Sequence, residues 1–343
     1  MPAACVAAGL FPAPYTGWMT AFVLLLALAA APADPRAALE EKFRAIAATA
    51  GGTVGVSVLD LETGRGASLH GNERFPMASV FKLAVAVELL SRADRGAVRL
   101  DQSIILAPAD MRPGGPLSER APNGGITLTV GELLEAMIVD GDNSAVDQLL
   151  PLAGGPEVVT AQLEAVGLGD VRVDRSELEL ALDVAGVATA PPRSTRSLAS
   201  IRAAIAAVPE KAHREAFARF LADPRDTATP NALVQLLRQV QEGRRLTPDS
   251  RERLLALMVR TRAGAGRLKG QLPADTPVAH RTGTGFDLGA ANVCTNDIGI
   301  VTLPDGRGRF AIAVLIKGSD RSLAEREKAI AAIARAAYDY WMR

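Results

Sequence analysis

Ser79-Val80-Phe81-Lys82 sets a hydroxyl and an amine one helical turn apart, on one face, at the head of a long apolar run. A serine hydroxyl is inert at its free pKa and becomes a nucleophile only beside a base. An amine held out of water can be tuned towards that role, because burial lowers its pKa. A helix start adds positive potential and free backbone N–H groups, which suit a developing oxyanion. Taken alone, the pair reads more simply as an N-capping serine followed by a solvated lysine. Its company changes that reading. Gly141-Asp142-Asn143 follows a helical run, and His280-Arg281-Thr282-Gly283-Thr284-Gly285 enters a strand. Between them, Asp174-Arg175-Ser176-Glu177-Leu178-Glu179-Leu180 carries Glu177, a carboxylate suited to acid–base work.

These clusters need a scaffold to bring them together. Leu39, Phe43 and Ile46 space an amphipathic helix from Pro35 to Ala47, and Thr53 to Asp60 alternates as a strand. Leu61 to Gly66 reads as a hairpin turn. The middle, from about Pro76 to Val240, is dominated by helical runs, among them Val80 to Ala93, Val130 to Met137 and Ser144 to Leu150. Strands return at Asn296 to Leu303 and Arg309 to Lys317, joined by Pro304-Asp305-Gly306-Arg307, and Leu323 to Met342 closes the chain as a helix. The expected class is α/β: an antiparallel sheet flanked by helices, made from residues 34–75 and 235–343, with an all-α domain, 76–234, inserted. The stretch from Arg175 to Asp226 is far longer than an ordinary structureless loop, so it must fold by itself. Leu198 to Ala207 and Ala212 to Leu221 have helical periodicity and predict a helical insertion beside the rim of the site.

Composition narrows the function. Across 343 residues, 38 Lys+Arg balance 38 Asp+Glu, so no excess positive field exists to hold nucleic acid. Cys5 and Cys294 form neither a disulfide framework nor a metal site, and Cys294 reads as buried filler. His70, His213 and His280 lack metal-ligand spacing, and no Gly-x-Ser-x-Gly elbow occurs, so no metal or other cofactor is expected. Residues 1–33 read as a signal peptide: an apolar run from Ala21 to Ala31, too short to span a bilayer, precedes an Ala31-Pro32-Ala33 cleavage site. That predicts an exported product, periplasmic or secreted, without a stable membrane anchor.

Ser-x-x-Lys, a Ser-Asp-Asn-like triplet and a Lys-Thr-Gly-like triplet, in this order, resemble the penicillin-recognising serine enzymes. Asp174 to Leu180 resembles the Ω-loop of class A β-lactamases, and Asp223 to Pro230 and Thr295-Asn296-Asp297 extend the likeness over essentially the whole mature chain. The resemblance implies a monomer acting on a small-molecule β-lactam. Ser79 would attack the lactam carbonyl, with the N–H groups of Ser79 and Thr284 as oxyanion hole. Lys82, Glu177 or both would take the hydroxyl proton, and Glu177 would activate the water that hydrolyses the acyl-enzyme. Asn143 would bind the side-chain amide of the substrate, and Arg281, Thr282, Gly283, Thr284 and Arg267 would line its carboxylate side. Arg175 and Asp226 would pair across the neck of the Ω-loop.

The chain departs from the family pattern at informative places. Gly141 stands where a serine hydroxyl relays a proton to the departing nitrogen, and Arg281 replaces the usual lysine. The two changes fit one explanation: the longer guanidinium reaches into the space of the missing hydroxymethyl and orders a water there. Ala181 replaces an asparagine that helps hold the deacylating water. Two other outcomes therefore stay open beside β-lactam hydrolysis: a penicillin-binding sensor or trap that acylates without turnover, and a DD-peptidase-like cell-wall hydrolase.

Overall fold

The β-branched runs at the two ends of the chain meet in one antiparallel sheet. We analysed a computed structural model that describes residues 34–288 and 291–343, so the leader expected at 1–33 lies outside the described residues. In the sheet, β1 (Thr53–Asp60) and β2 (Gly66–Leu69) form the hairpin expected around Leu61 to Gly66. β3 (Phe75–Pro76), β4 (Ser103–Leu106), β5 (Ile126–Thr129) and β6 (Thr227–Ala228) lie outside it as two small ladders, β3 with β6 and β4 with β5. The main sheet is completed by β7 (Val278–Thr284), β8 (Asp287–Leu288), β9 (Ala291–Thr302) and β10 (Arg309–Ser319), in the order β2-β1-β10-β9-β7 with β8 also on β9.

Both faces of this sheet are covered, and its side chains divide accordingly. Val54, Val56 and Val58 of β1 and Ile312, Val314 and Ile316 of β10 pack on α1 (Pro35–Ala47) and on the C-terminal helix through Leu39, Phe43, Ile330 and Ile333. The alternate residues, among them Leu59, Ala311, Ala313 and Leu315, join the core shared with the helical layer. That two-sided burial is why β10 reads as a nearly unbroken apolar run.

The helical layer is built round α2 (Phe81–Asp94), where every residue from Phe81 to Ser91 is buried. A helix apolar on all sides belongs at the centre of a core. It is surrounded by α3 (Pro116–Arg120), α4 (Val130–Glu135), α5 (Asn143–Leu152) and α6 (Pro156–Ala165). The stretch expected to fold by itself contains α7 (Glu177–Ala185), α8 (Leu198–Ala206) and α9 (Glu210–Ala222), so both helices read from periodicity are present. α10 (Pro230–Glu242) and α11 (Pro248–Val259) lead back to the sheet, and α12 (Leu323–Trp341) closes the chain.

Two details correct the sequence reading. The middle region is helical except for the β4–β5 ladder and the β3–β6 pairing at its edge. The boundary drawn at 234/235 falls inside α10, a rigid helix that packs on β1 and β10 and also shares the helical core through Leu233, Leu236 and Leu237. Residues 34–343 form one compact unit.

Candidate active site

Ser79 sits on a turn that three separate parts of the chain hold in place. The turn Ala78–Val80 is 3₁₀ and runs directly into α2. Ala78 has φ of 43°, a left-handed conformation that costs a residue with a Cβ and persists only where the surroundings impose it. Those surroundings are identifiable. The N–H of Met77 donates to the carbonyl of Asp226 (3.0 Å), and Asn296 Nδ2 donates to the carbonyls of Pro76 (2.9 Å) and Met77 (3.0 Å). Gly283 of β7 lies so close that a Cβ there would come within 2.4 Å of the Met77 carbonyl oxygen. Only glycine lets the strand bring its neighbours Thr282 and Thr284 to this turn.

Lys82 is completely buried and, among the described residues, has no carboxylate as a hydrogen-bond partner. Its Nζ donates to the carbonyl of Gly141 (2.7 Å) and to Asn143 Oδ1. Burial pulls its pKa down to about 8 against the opposing pull of Glu177. Asp142, between those two partners, caps α5 by accepting from the N–H of Ala145 (2.9 Å), and it also accepts from the N–H of Leu117 (2.8 Å). The triplet thus faces Lys82 through its first and third residues while the middle one fixes the helix start.

Glu177 is the first residue of α7 and is buried. Its carboxyl is pushed up by burial and by the charge of Asp147, with Lys82 and Arg281 acting the other way. Glu179 is exposed and closes a capping box with Ser176, accepting its N–H at 2.8 Å, so the two glutamates have separate duties. Two residues that the sequence reading did not single out position α7. Asp147 Oδ1 accepts the N–H of Glu177 (2.7 Å), its Oδ2 accepts that of Leu178 (3.2 Å), and Arg112 Nε donates to Asp147 at 2.6 Å. Asp147 lies one turn after Asn143 on α5, a spacing that would have flagged it; nothing in the local sequence marks Arg112.

Arg175 and Asp226 do pair, Nε to Oδ2 at 2.5 Å. Around them, Asp226 Oδ1 accepts the N–H of Asp174 (2.7 Å), Asp174 Oδ2 accepts that of Asp226 (2.8 Å), and Arg175 also reaches Asp183 (2.7 Å). The two ends of the long insertion are therefore fastened together beside the turn that carries Ser79.

On β7, residues alternate between two tasks. Arg281 is 1% exposed, and burial lowers its pKa to about 10, which leaves it cationic at neutral pH. A Cβ built at Gly141 would lie 3.3 Å from its Nη2 and 3.5 Å from its Nη1. The guanidinium thus occupies the ground that a side chain at residue 141 would use, as the sequence suggested, and its Nε has no hydrogen-bond partner among the described residues. Arg267 is 4% exposed and is fully engaged. It donates to the Thr284 hydroxyl (2.7 Å) and the carbonyls of Gly283 (3.2 Å) and Asn296 (2.9 Å), and pairs with Glu327 at 3.0 Å. It meets the site through Thr284. Thr282 is buried and faces the Gly264 side.

Ser79, Asn143, Glu177 and Thr284 border one cavity of about 250 Å³, with Lys82 and Arg281 behind its wall. Among the described residues no group of three or more His, Cys, Asp or Glu side chains is placed to hold a metal ion. A serine at a strained helix start, a buried amine and a buried carboxylate therefore converge on a space large enough for a small molecule.

Residues 38–341 match the β-lactamase enzyme family. The chain belongs to that family. It is 30% identical to the β-lactamase VEB-1 of Pseudomonas aeruginosa over 84% of this chain and 85% of that protein. A β-lactamase of Chitinophaga pinensis is similar in structure, with a TM-score of 0.74 and 32% identity over 88% of this chain and 98% of that one. An ancestral class A β-lactamase superposes with a TM-score of 0.71 at 34% identity, covering 88% and 99% of the two chains. The TLA-1 extended-spectrum β-lactamase gives 0.75 at 27% identity, covering 90% and 100%. This β-lactamase accordingly has the class A fold and is a hydrolase of β-lactam rings.

Proposed function

We propose that this β-lactamase works through an acyl-enzyme on Ser79. The observation that carries the proposal is the burial of Glu177 and Lys82 beside the same cavity as Ser79, since a buried acid and amine of shifted pKa are what proton traffic at neutral pH requires. The Ser79 oxygen bonds to the lactam carbonyl carbon while its proton passes to the Lys82–Glu177 pair. The N–H groups of Ser79 and Thr284 hold the oxyanion, each worth ~3 kcal/mol in related chemistry. The C–N bond then breaks, and the nitrogen takes the proton that the Lys82–Glu177 pair received from Ser79, which leaves Glu177 ionised. Residue 141 offers no hydroxyl for this, so a water held by the Arg281 guanidinium carries it. Glu177 next draws a proton from a second water as that water's oxygen bonds to the ester carbon; the bond from this carbon to the Ser79 oxygen then breaks, the proton passes from Glu177 to Ser79, and the ring-opened acid leaves.

Asn143 binds the side-chain amide, and Gly283 and Thr284 receive the carboxylate, while the buried cation of Arg281 adds charge from behind the wall. Arg267 supports them by orienting the Thr284 hydroxyl. The enzyme itself is exported, as the apolar run before Ala31-Pro32-Ala33 suggests, and acts as a monomer. Among the described residues no helix is long and apolar enough to cross a membrane.

Hydrolysis of a chromogenic cephalosporin, with intact mass recorded after quenching, tests the scheme. Many turnovers, abolished in Ser79→Ala and stalled at a mass adduct in Glu177→Ala, are expected. Gly141 and Ala181 favour a second outcome, a trap, whose mark is one stoichiometric burst and a lasting adduct in the unmodified protein.

A further inference from the structure

Behind Arg281 lies a second buried charge that the acyl-enzyme scheme does not use. In the β7–β9 pairing Arg281 stands opposite Ile298 and Thr282 opposite Asp297, so Asp297 shares a face with His280 and Thr282, turned away from the site. His280 and Asp297 are both 0% exposed, and His280 Nδ1 lies 3.0 Å from each carboxylate oxygen. The other ring nitrogen, Nε2, is buried and has no partner among the described residues. A proton there would be a buried donor without an acceptor, so the geometry puts the ring proton on Nδ1, donating to Asp297. The N–H of Leu268 donates to the same carboxylate at 3.3 Å, and the Thr261 hydroxyl steadies β7 by donating to the His280 carbonyl at 2.8 Å.

Asp297 is thus held by two neutral donors, and among the described residues no lysine or arginine is hydrogen-bonded to it. Arg281 has the complementary need. It is 1% exposed, and among the described residues no carboxylate accepts a hydrogen bond from it. The charged groups around it are Asp297 on β9, Glu177 on α7, Lys82 on α2 and Arg267 ahead of β7, where Lys269 also feels Asp297. Burial lowers the Arg281 pKa, and Asp297 opposes that fall more strongly than Glu177 does. Buried charges on adjacent strands act on each other with little screening by water or salt. The two carboxylates differ in one respect. Glu177 gains and loses a proton in each turnover, whereas Asp297 is sealed from the cavity and keeps both of its donors.

We propose that Asp297, held by His280, is the fixed counter-charge of Arg281, a positioning residue that keeps the guanidinium cationic and its proton-carrying water in place at every stage of the cycle. The proposal rests on the acyl-enzyme reading for the use made of Arg281, and on the geometry alone for the pairing of the two charges.

The test follows kcat/KM for a chromogenic cephalosporin from pH 7 to pH 10 in the unmodified protein and in Asp297→Asn, whose amide oxygen can take the place of Oδ2 and accept from both His280 and Leu268. Removing the charge lets Arg281 lose its proton below about 10. The ratio of the two kcat/KM values should therefore widen with pH, reaching about fivefold at pH 10 for a tenfold weaker hold on the Arg281 proton. The titration of Lys82 is common to both proteins and cancels. A role in packing alone would lower kcat/KM by the same factor at every pH, so a ratio flat with pH overturns the proposal.

Unfolding in urea gives a second readout. Arg281→Met should cost less stability in the Asp297→Asn background than in the unmodified protein, because it then removes a cation whose counter-charge is already gone. If Asp297→Asn does not fold by itself, the double variant should. Equal cost in both backgrounds, or a double variant that stays unfolded, overturns the pairing. Failure of the acyl-enzyme reading looks different: no mass adduct forms on Ser79, in the unmodified protein or in Glu177→Ala, while the coupling of Asp297 with Arg281 in urea persists.

Discussion

Gly141 and Arg281 share one space: a Cβ at residue 141 would press to 3.3 Å on Nη2 of the arginine. The glycine also adopts φ of +76°, a conformation that a side chain adopts at a cost. Residues from the end of one helix and the middle of one strand are therefore matched in size, and each constrains what the other can be.

Gly141→Ser should destabilise the protein by about 1–2 kcal/mol from the backbone conformation alone, with a further loss from crowding of the guanidinium. Arg281→Lys shortens the partner and should recover the crowding part only. A double-mutant cycle in thermal or urea unfolding should give a coupling of roughly 0.5–3 kcal/mol, as for residues in contact. Strict additivity would show that the two positions are independent.

Asp147 caps the helix that carries Glu177 and also neutralises Arg112. Asp147→Ala leaves a buried guanidinium without its carboxylate, so a loss of about 3–5 kcal/mol is expected in chemical unfolding. Asp147→Asn keeps an acceptor for the Glu177 N–H while removing the charge that raises the Glu177 pKa. The acid limb of kcat should then move to lower pH. A limb that stays in place in Asp147→Asn would exclude the electrostatic part of this role.

Glu177 must be ionised to act as a base, and its pKa is raised, so kcat should fall on the acid side above the ordinary carboxylate range. Its charge in turn supports that of Lys82. Glu177→Gln should therefore let Lys82 titrate below about 8, measurable by NMR of isotopically labelled lysine. Lys82 also links stability to pH. Its folded pKa lies below the unfolded 10.5, so the folded state binds fewer protons between about 8 and 10.5, and this group adds stability as pH rises through that window.

Arg175→Ala cuts the fastening between the ends of the insertion and strands the buried Asp226. A destabilisation of about 3–5 kcal/mol is expected. The loosening should be local, with faster amide hydrogen exchange in α7, α8 and α9 than in α2. Deacylation should slow more than acylation, because α7 carries Glu177 and not Ser79. Uniform exchange over the whole chain would mean that the neck supports global stability only.

The residues around Ser79 were legible because their chemistry is local in sequence. Ser79 and Lys82 share a helix face by spacing alone, and the apolar periodicity of 198–207 and 212–221 is sufficient to place α8 and α9. The hairpins β1–β2 and β9–β10 likewise follow from alternation and turn residues. Periodicity records which face of an element is apolar, but not what that face will meet. Only the packing of α5 against α7 brings Asp147 to the Glu177 N–H, and only the approach of β7 to the 77–80 turn requires glycine at 283. The same holds for Arg267, whose donors are consumed by Thr284, Gly283 and Asn296, partners that no spacing rule links to it. What the chain determined by itself was the set of elements and reactive groups. Their distances, burial and shared spaces arose from contacts between distant segments, where close packing allows one arrangement and excludes its neighbours.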